Sequence, residues 1–226
     1  MPNDRVLQEA ARLRHRKHRT AERLYRRYQQ QVPDLIQQLG TTQAAHDRAF
    51  DLLSKMSDTI VAELLEALAN PALDPTAADE VVSLLGAAGG QRARAALWNF
   101  FEANRDDPER ASTAALSLSG LGDERVLPYV RQSLRAGDEE LVSNAVASLI
   151  PLGEMEDVDR LRLVYLRFLV SREIRMGLAS AILTILGETD ETTMRHKLDE
   201  IEASPVDAGL WDDMGSILER QFGPGS

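Results

Sequence analysis

Apolar residues along this chain recur at three- and four-residue intervals, the period of a helix with one buried face, and no segment alternates polar and apolar over a strand's length. The stretch DPERASTAALSLSGLGDERVLPYVRQSLRAGD, residues 107–138, shows the unit. Ala111, Ala114, Ala115, Leu118 and Leu121 form one helical stripe, with Asp107 placed to cap it and Gly122 to end it. Leu127, Val130 and Leu134 form a second stripe between Asp123 and Gly137. Neither helix can bury its stripe alone, so the pattern predicts hairpins that stack on their neighbours.

Two markers repeat with the hairpin. Leu-Gly recurs at Leu85-Gly86, Leu121-Gly122, Leu152-Gly153 and Leu186-Gly187, at spacings of 36, 31 and 34 residues, each read as the end of an apolar helix. Asp74-Pro75, Asp107-Pro108 and Ser204-Pro205 each set a capping oxygen before a proline suited to a first helical turn, and these prolines are 33 and 97 residues apart. The marks place hairpins over 42–70, 74–105, 107–137, 138–170 and 171–203, with a capping helix over 205–221. Ser57-Asp58 divides the first.

Upstream, Val6, Ala10, Leu13, Ala21, Leu24 and Tyr28 predict a helix from Asp4 to Gln31, ending before Val32-Pro33 because a residue preceding proline resists the helical region. Its middle, Arg14 to Thr20, has no apolar residue, so the ends can dock and the middle cannot. Residues 1–40 therefore read as a basic helix with a short connecting helix, 41–222 as a repeat domain, and the closing GPGS, 223–226, as a flexible tail.

Over RASTAALSLSGLGDERVLPYVRQSL the chain resembles the short bacterial HEAT-like repeats, the kind also found in phycobilisome lyase subunits. Here Leu-Gly ends a helix and the polar Gly122-Asp123-Glu124 follows, whereas a tetratricopeptide helix runs on through its glycine; the T-P-L-H of ankyrin repeats is missing. The resemblance covers residues 42–203 and is strongest over the third and fourth hairpins. It implies an all-α fold, a right-handed α-solenoid of about five HEAT-like hairpins with an N-terminal basic helix and a C-terminal capping helix. It also implies a concave face lined by the second helix of each hairpin. It transfers no catalytic residue.

Charge adds an asymmetry. Residues 1–31 hold nine Lys and Arg against three Asp and Glu, whereas the rest of the 226-residue chain holds 17 against 33, and the whole has net charge −10. An acidic body disfavours the molecule as a cradle for nucleic acid, since that affinity rests on clustered cations, but permits a local basic contact. Arg14, Arg16, Lys17, Arg19 and Arg23 are the candidates for it. The basic helix has four readings: a solvated cap over the first hairpin, an arm for an acidic protein surface, a nucleic-acid contact, or a coiled-coil strand weakened by the gap at 14–20.

Aligning the second helices on Leu97, Val130 and Val164 sets Trp98, Arg131 and Tyr165 in one register, with Glu102 and Arg135 one turn further on. These five are the candidate partner-binding residues, because large amphipathic side chains and arginine anchor interfaces; Trp98 and Tyr165 equally suit packing between repeats. Second helices also collect Arg92, Arg94, Arg125, Arg160, Arg162 and Arg167.

Chemistry is sparse. Cysteine is absent, which removes disulfides and thiolate chemistry and suits a reducing cytosol. There is no GxSxG, P-loop or HExxH, and Gly120-x-Gly122 lacks the third glycine of a dinucleotide fingerprint. His15 and His18 have no third ligand, His46 and His196 stand alone, and Asp212-Asp213 beside Trp211 point apart on a helix. No metal or cofactor is expected. The expectation is a non-enzymatic cytoplasmic scaffold that binds a protein or peptide on its concave face, with no membrane partner. Nucleic-acid binding, by analogy with a DNA glycosylase family built from similar repeats, is the second reading, and a bilin lyase or chromophore chaperone the third.

Overall fold

The computed structural model describes the backbone of residues 2–204 and side chains from 15 to 204. The described residues are helical, with no strand among them, and no helix there is long and apolar enough to cross a membrane. They fall into two compact units that divide at Leu121 and Gly122.

The first unit holds α1 (Pro2–Tyr28), α2 (Val32–Gln38), α3 (Gln43–Ser54), α4 (Val61–Leu68), α5 (Pro75–Ala88), α6 (Gly90–Ala103) and α7 (Pro108–Gly120). The second holds α8 (Leu127–Ser133), α9 (Glu139–Leu152), α10 (Met155–Arg167), α11 (Arg172–Ile185) and α12 (Glu191–Ala203). From α3 onward these lie within the hairpin spans that the sequence markers predict. The capping helix over 205–221, Trp211, Asp212, Asp213 and the GPGS tail lie outside the described residues.

Capping explains the starts. Asp74 Oδ1 accepts from the amides of Thr76 and Ala77 at 2.9 and 3.3 Å, with Pro75 in the first turn of α5. Asp107, Asp138 and Asp190 do the same for α7, α9 and α12, accepting from Arg110, Leu141 and Thr193. Asp123 caps a 3-10 turn, Glu124–Val126, that leads into α8.

The helices are packed unequally within each unit. Helix α5 packs against α4, α6 and α7, and α11 against α9, α10 and α12. Accordingly α5 buries a broad face of Ala77, Ala78, Val81, Val82, Leu84 and Leu85, whereas α6 buries the single stripe Ala93, Leu97 and Phe101. Within the first unit α5 also packs on α7, and within the second α11 packs on α9, while α6 keeps one side in water.

Two expectations are corrected. The Leu-Gly marker ends a helix at Gly122, Gly153 and Gly187, but Gly86 lies inside α5. It is a contact glycine: a Cβ there would stand 2.8 Å from Ser117 Cβ and 3.1 Å from Ser117 Cα on α7, too close for either helix to keep its place. Gly122, by contrast, follows α7 at φ 71, a conformation other residues adopt at a cost. The first helix also ends earlier than predicted. After Tyr28 come a 3-10 turn, Gln29–Gln31, and then α2, whose first residue Val32 is helical (φ −55, ψ −45) although proline follows. Pro33 sits in the first turn of a new helix, where its missing amide is not needed.

Candidate functional site

Among the described residues, the large apolar side chains that stand exposed are Ile150, Met155, Leu163, Leu166 and Val170, all from the second unit; Leu163 is 71% exposed and Val170 98%. Burying an aliphatic side chain of this size fully is worth roughly 1.5–3 kcal/mol.

Leu163 lines a groove of about 380 Å³ between α8 and α10 together with Arg131, Leu134, Arg135, Arg160 and Arg167. Helical spacing brings these groups together. Arg131 lies in the last turn of α8 and Arg135 two residues past its end, and Arg160, Leu163 and Arg167 follow an i, i+3, i+7 line on α10. Val164 also lines the groove and is buried, and Val158, Leu161 and Tyr165, further round α10, are buried as well.

One end of the groove is an ion-pair network centred on a carboxylate with no exposed surface, Asp157. Arg131 Nε donates to Asp157 Oδ1 at 2.8 Å and its Nη2 to Oδ2 at 3.0 Å, while Nη2 also lies 2.9 Å from carboxylate oxygens of Glu154 and Glu156. Arg160 Nη1 donates to Asp157 Oδ1 at 2.7 Å, and the Glu154 amide to Oδ2 at 3.0 Å. Burial alone would push the Asp157 carboxyl up; the bonds from Arg131, the Glu154 backbone and Arg160 outweigh it and hold the group below the usual carboxylate range. The same bond from Asp157 raises the pKa of Arg131.

Glu154, Glu156 and Asp157 bring carboxylate oxygens within 4.8 Å of one another, a spacing that suits a cation. The cation among them is the Arg131 guanidinium. Glu154 and Asp157 also form the reciprocal cap at the start of α10, so the cluster follows from how the helix begins.

The other end is different. Arg167 Nη2 donates to the carbonyls of Leu134 and Ala136 at 2.7 and 2.9 Å, closing the open end of α8, and its guanidinium lies 4.7 Å from the Phe168 ring centre. None of these partners carries a charge that would cancel its own. Arg135 is exposed and makes no ion pair among the described residues.

The other predicted residues are dispersed. Tyr165 is 3% exposed, so it serves packing and is withdrawn as a contact residue; burial pushes its phenol up. Sequence register set it beside Arg131, but the buried stripe of α10 includes it and leaves Leu163 outside. Trp98 and Glu102 belong to α6 in the first unit. The half-buried Trp98 ring lies 5.4 Å from that of Phe101, and Glu102 pairs with Arg105 at 3.8 Å. Leu163 was legible only as the step between Arg160 and Arg167, where an aliphatic residue falls on an otherwise charged line.

The second half of the basic helix docks on its own unit. Ala21 is buried, His18 Nδ1 lies 2.9 Å from Asp58 Oδ2, and Tyr25 donates to Glu63 at 2.6 Å. The hydrogen bond to Asp58 raises the His18 pKa. Arg16, Arg19, Arg23 and Arg26 line one open face, within about 80° of arc at 100° per residue, and Lys17 is exposed outside that arc. The Arg14 side chain lies outside the described residues. His15 is exposed, His46 sits between Asp47 and Glu80 at 3.2 and 3.1 Å, and His196 lies 3.4 Å from Glu200. No family model and no curated protein matches the chain.

Proposed function

We propose that this chain is a non-enzymatic HEAT-like adaptor, a right-handed α-solenoid of stacked hairpins that binds a protein or peptide on its second helices. The hairpin period, the packing of α5 on α7 and of α11 on α9, and the short polar turns support the architecture. The observation that carries the function is the α8–α10 groove, where the exposed Leu163 shares a lining with Arg135, which makes no ion pair among the described residues. Shape and charge complementarity are the whole mechanism; no constellation of nucleophile, base and oxyanion donors is brought together among the described residues. Site-specific photo-crosslinking in the native host checks it. A crosslinker at position 163 should trap a discrete protein adduct, and one at the exposed Gln91 should not. Equal patterns from both positions would count against this surface.

The arginine line on α1 favours a second reading, in which that helix contacts nucleic acid through phosphates alone, since Tyr25 is engaged with Glu63 on another side. Four arginines contacting a single strand would make log affinity fall with log salt at a slope of about −3. Fluorescence anisotropy with a single-stranded RNA should show that slope and its loss in Arg16→Glu/Arg23→Glu; no retention at low salt removes this reading.

A further inference from the structure

The α8–α10 groove has a polarity, and polarity specifies a ligand. We infer that it takes an extended acidic peptide carrying an aliphatic side chain, with the peptide carboxylates at the Arg135–Arg167 end and the aliphatic group on Leu163. This rests on the adaptor reading and narrows it.

Charge accounting sets the class. Four guanidinium groups, of Arg131, Arg135, Arg160 and Arg167, face the carboxylates of Glu154, Glu156 and Asp157. Those carboxylates bond to Arg131 and Arg160 and lie at the start of α10, so one end of the groove is close to neutral. At the far end Arg135 and Arg167 make no ion pair among the described residues: Arg167 spends its bonds on uncharged carbonyls, and of the acids that follow in the chain Asp138 caps α9 and Glu139 accepts from Ser171. A planar guanidinium presents two donors to a carboxylate, so this end suits one or two acidic side chains. In the same lining Leu163 is 71% exposed, and Leu134 and Val164 are the other apolar residues there. They offer an apolar contact and no polar side-chain atom.

One other occupant fits less well. A nucleic acid would lay phosphates along the whole groove, against Glu154 and Glu156.

Selection from a displayed library of short random peptides, with the full chain as bait, tests the inference. The expected pool is enriched in Asp and Glu next to Leu, Ile or Val. Arg135→Glu is expected to weaken binding of that pool about tenfold or more and, when itself used as bait, to lose the acidic bias while keeping the aliphatic one. Leu163→Asp should do the converse. Both positions are exposed, and circular dichroism verifies folding. A pool without acidic bias, or one indifferent to Arg135→Glu yet sensitive to Leu163→Asp, overturns the inference and leaves the adaptor reading standing. Self-association or RNA binding that Arg135→Glu abolishes overturns it in favour of those occupants. Absence of any enriched peptide, together with absence of crosslinked adducts from position 163, removes both.

Discussion

Asp157→Ala is expected to lower the stability of residues 122–204 by roughly 3–5 kcal/mol, the range for removing one member of a buried ion pair. The carboxylate is wholly buried and accepts from Arg131, Arg160 and the Glu154 amide, so its loss strips two guanidinium groups and a helix start at once. Arg131 keeps Glu154 and Glu156, which draws the effect toward the lower figure. Urea unfolding followed by circular dichroism, with hydrogen exchange over residues 154–167, measures it; an unshifted midpoint would show that the network does not hold the helix. Acidity adds a second signature. Because the folded carboxyl titrates below its ordinary value, the unfolded chain binds more protons near pH 4. The contribution is therefore present above about pH 4, the unfolded value, and is lost as pH falls through the lower folded value. Asp157→Ala should flatten that part of the stability profile.

Phe101→Ala is expected to cost about 3–5 kcal/mol in the first unit. Phe101 is fully buried on the inner stripe of α6, with the Trp98 ring tilted 38° against it and the Arg105 guanidinium 5.5 Å from its centre. The cavity would loosen Trp98 as well. In a Trp211→Phe background, where Trp98 is the remaining tryptophan, its emission should move to longer wavelength and the unfolding midpoint should fall. Unchanged emission would mean that Trp98 does not rest on Phe101.

Helix positions were legible because their signals are local. Aspartate before a first turn, glycine after a last one and stripes at 3.6 residues fixed the boundaries from α3 to α12 to within a few residues. What escaped was contact between distant residues. Gly86 carries the same Leu-Gly signature as Gly122, and only the proximity of Ser117 distinguishes a glycine needed for space from one needed for its backbone angle. The site was half legible for the same reason. Arg131 and Arg135 share the groove lining, and their i, i+4 spacing could be counted in the sequence although Arg135 lies just past the end of α8. The burial of Tyr165 could not be read there, because which side of α10 turns inward depends on α11. Aligning repeats by their apolar anchors transfers position along a helix but not its rotation. His46 illustrates the limit: alone in sequence, it bridges to Glu80 across two helices.

The tie between Arg167 and the carbonyls of Leu134 and Ala136 has a kinetic corollary. It pins the trailing end of one outer helix to its neighbour, so the channel's width is set before anything enters it. A peptide bound there as proposed would surrender its own freedom but ask little rearrangement of the host, and preorganisation of this sort favours rapid capture and discrimination by fit.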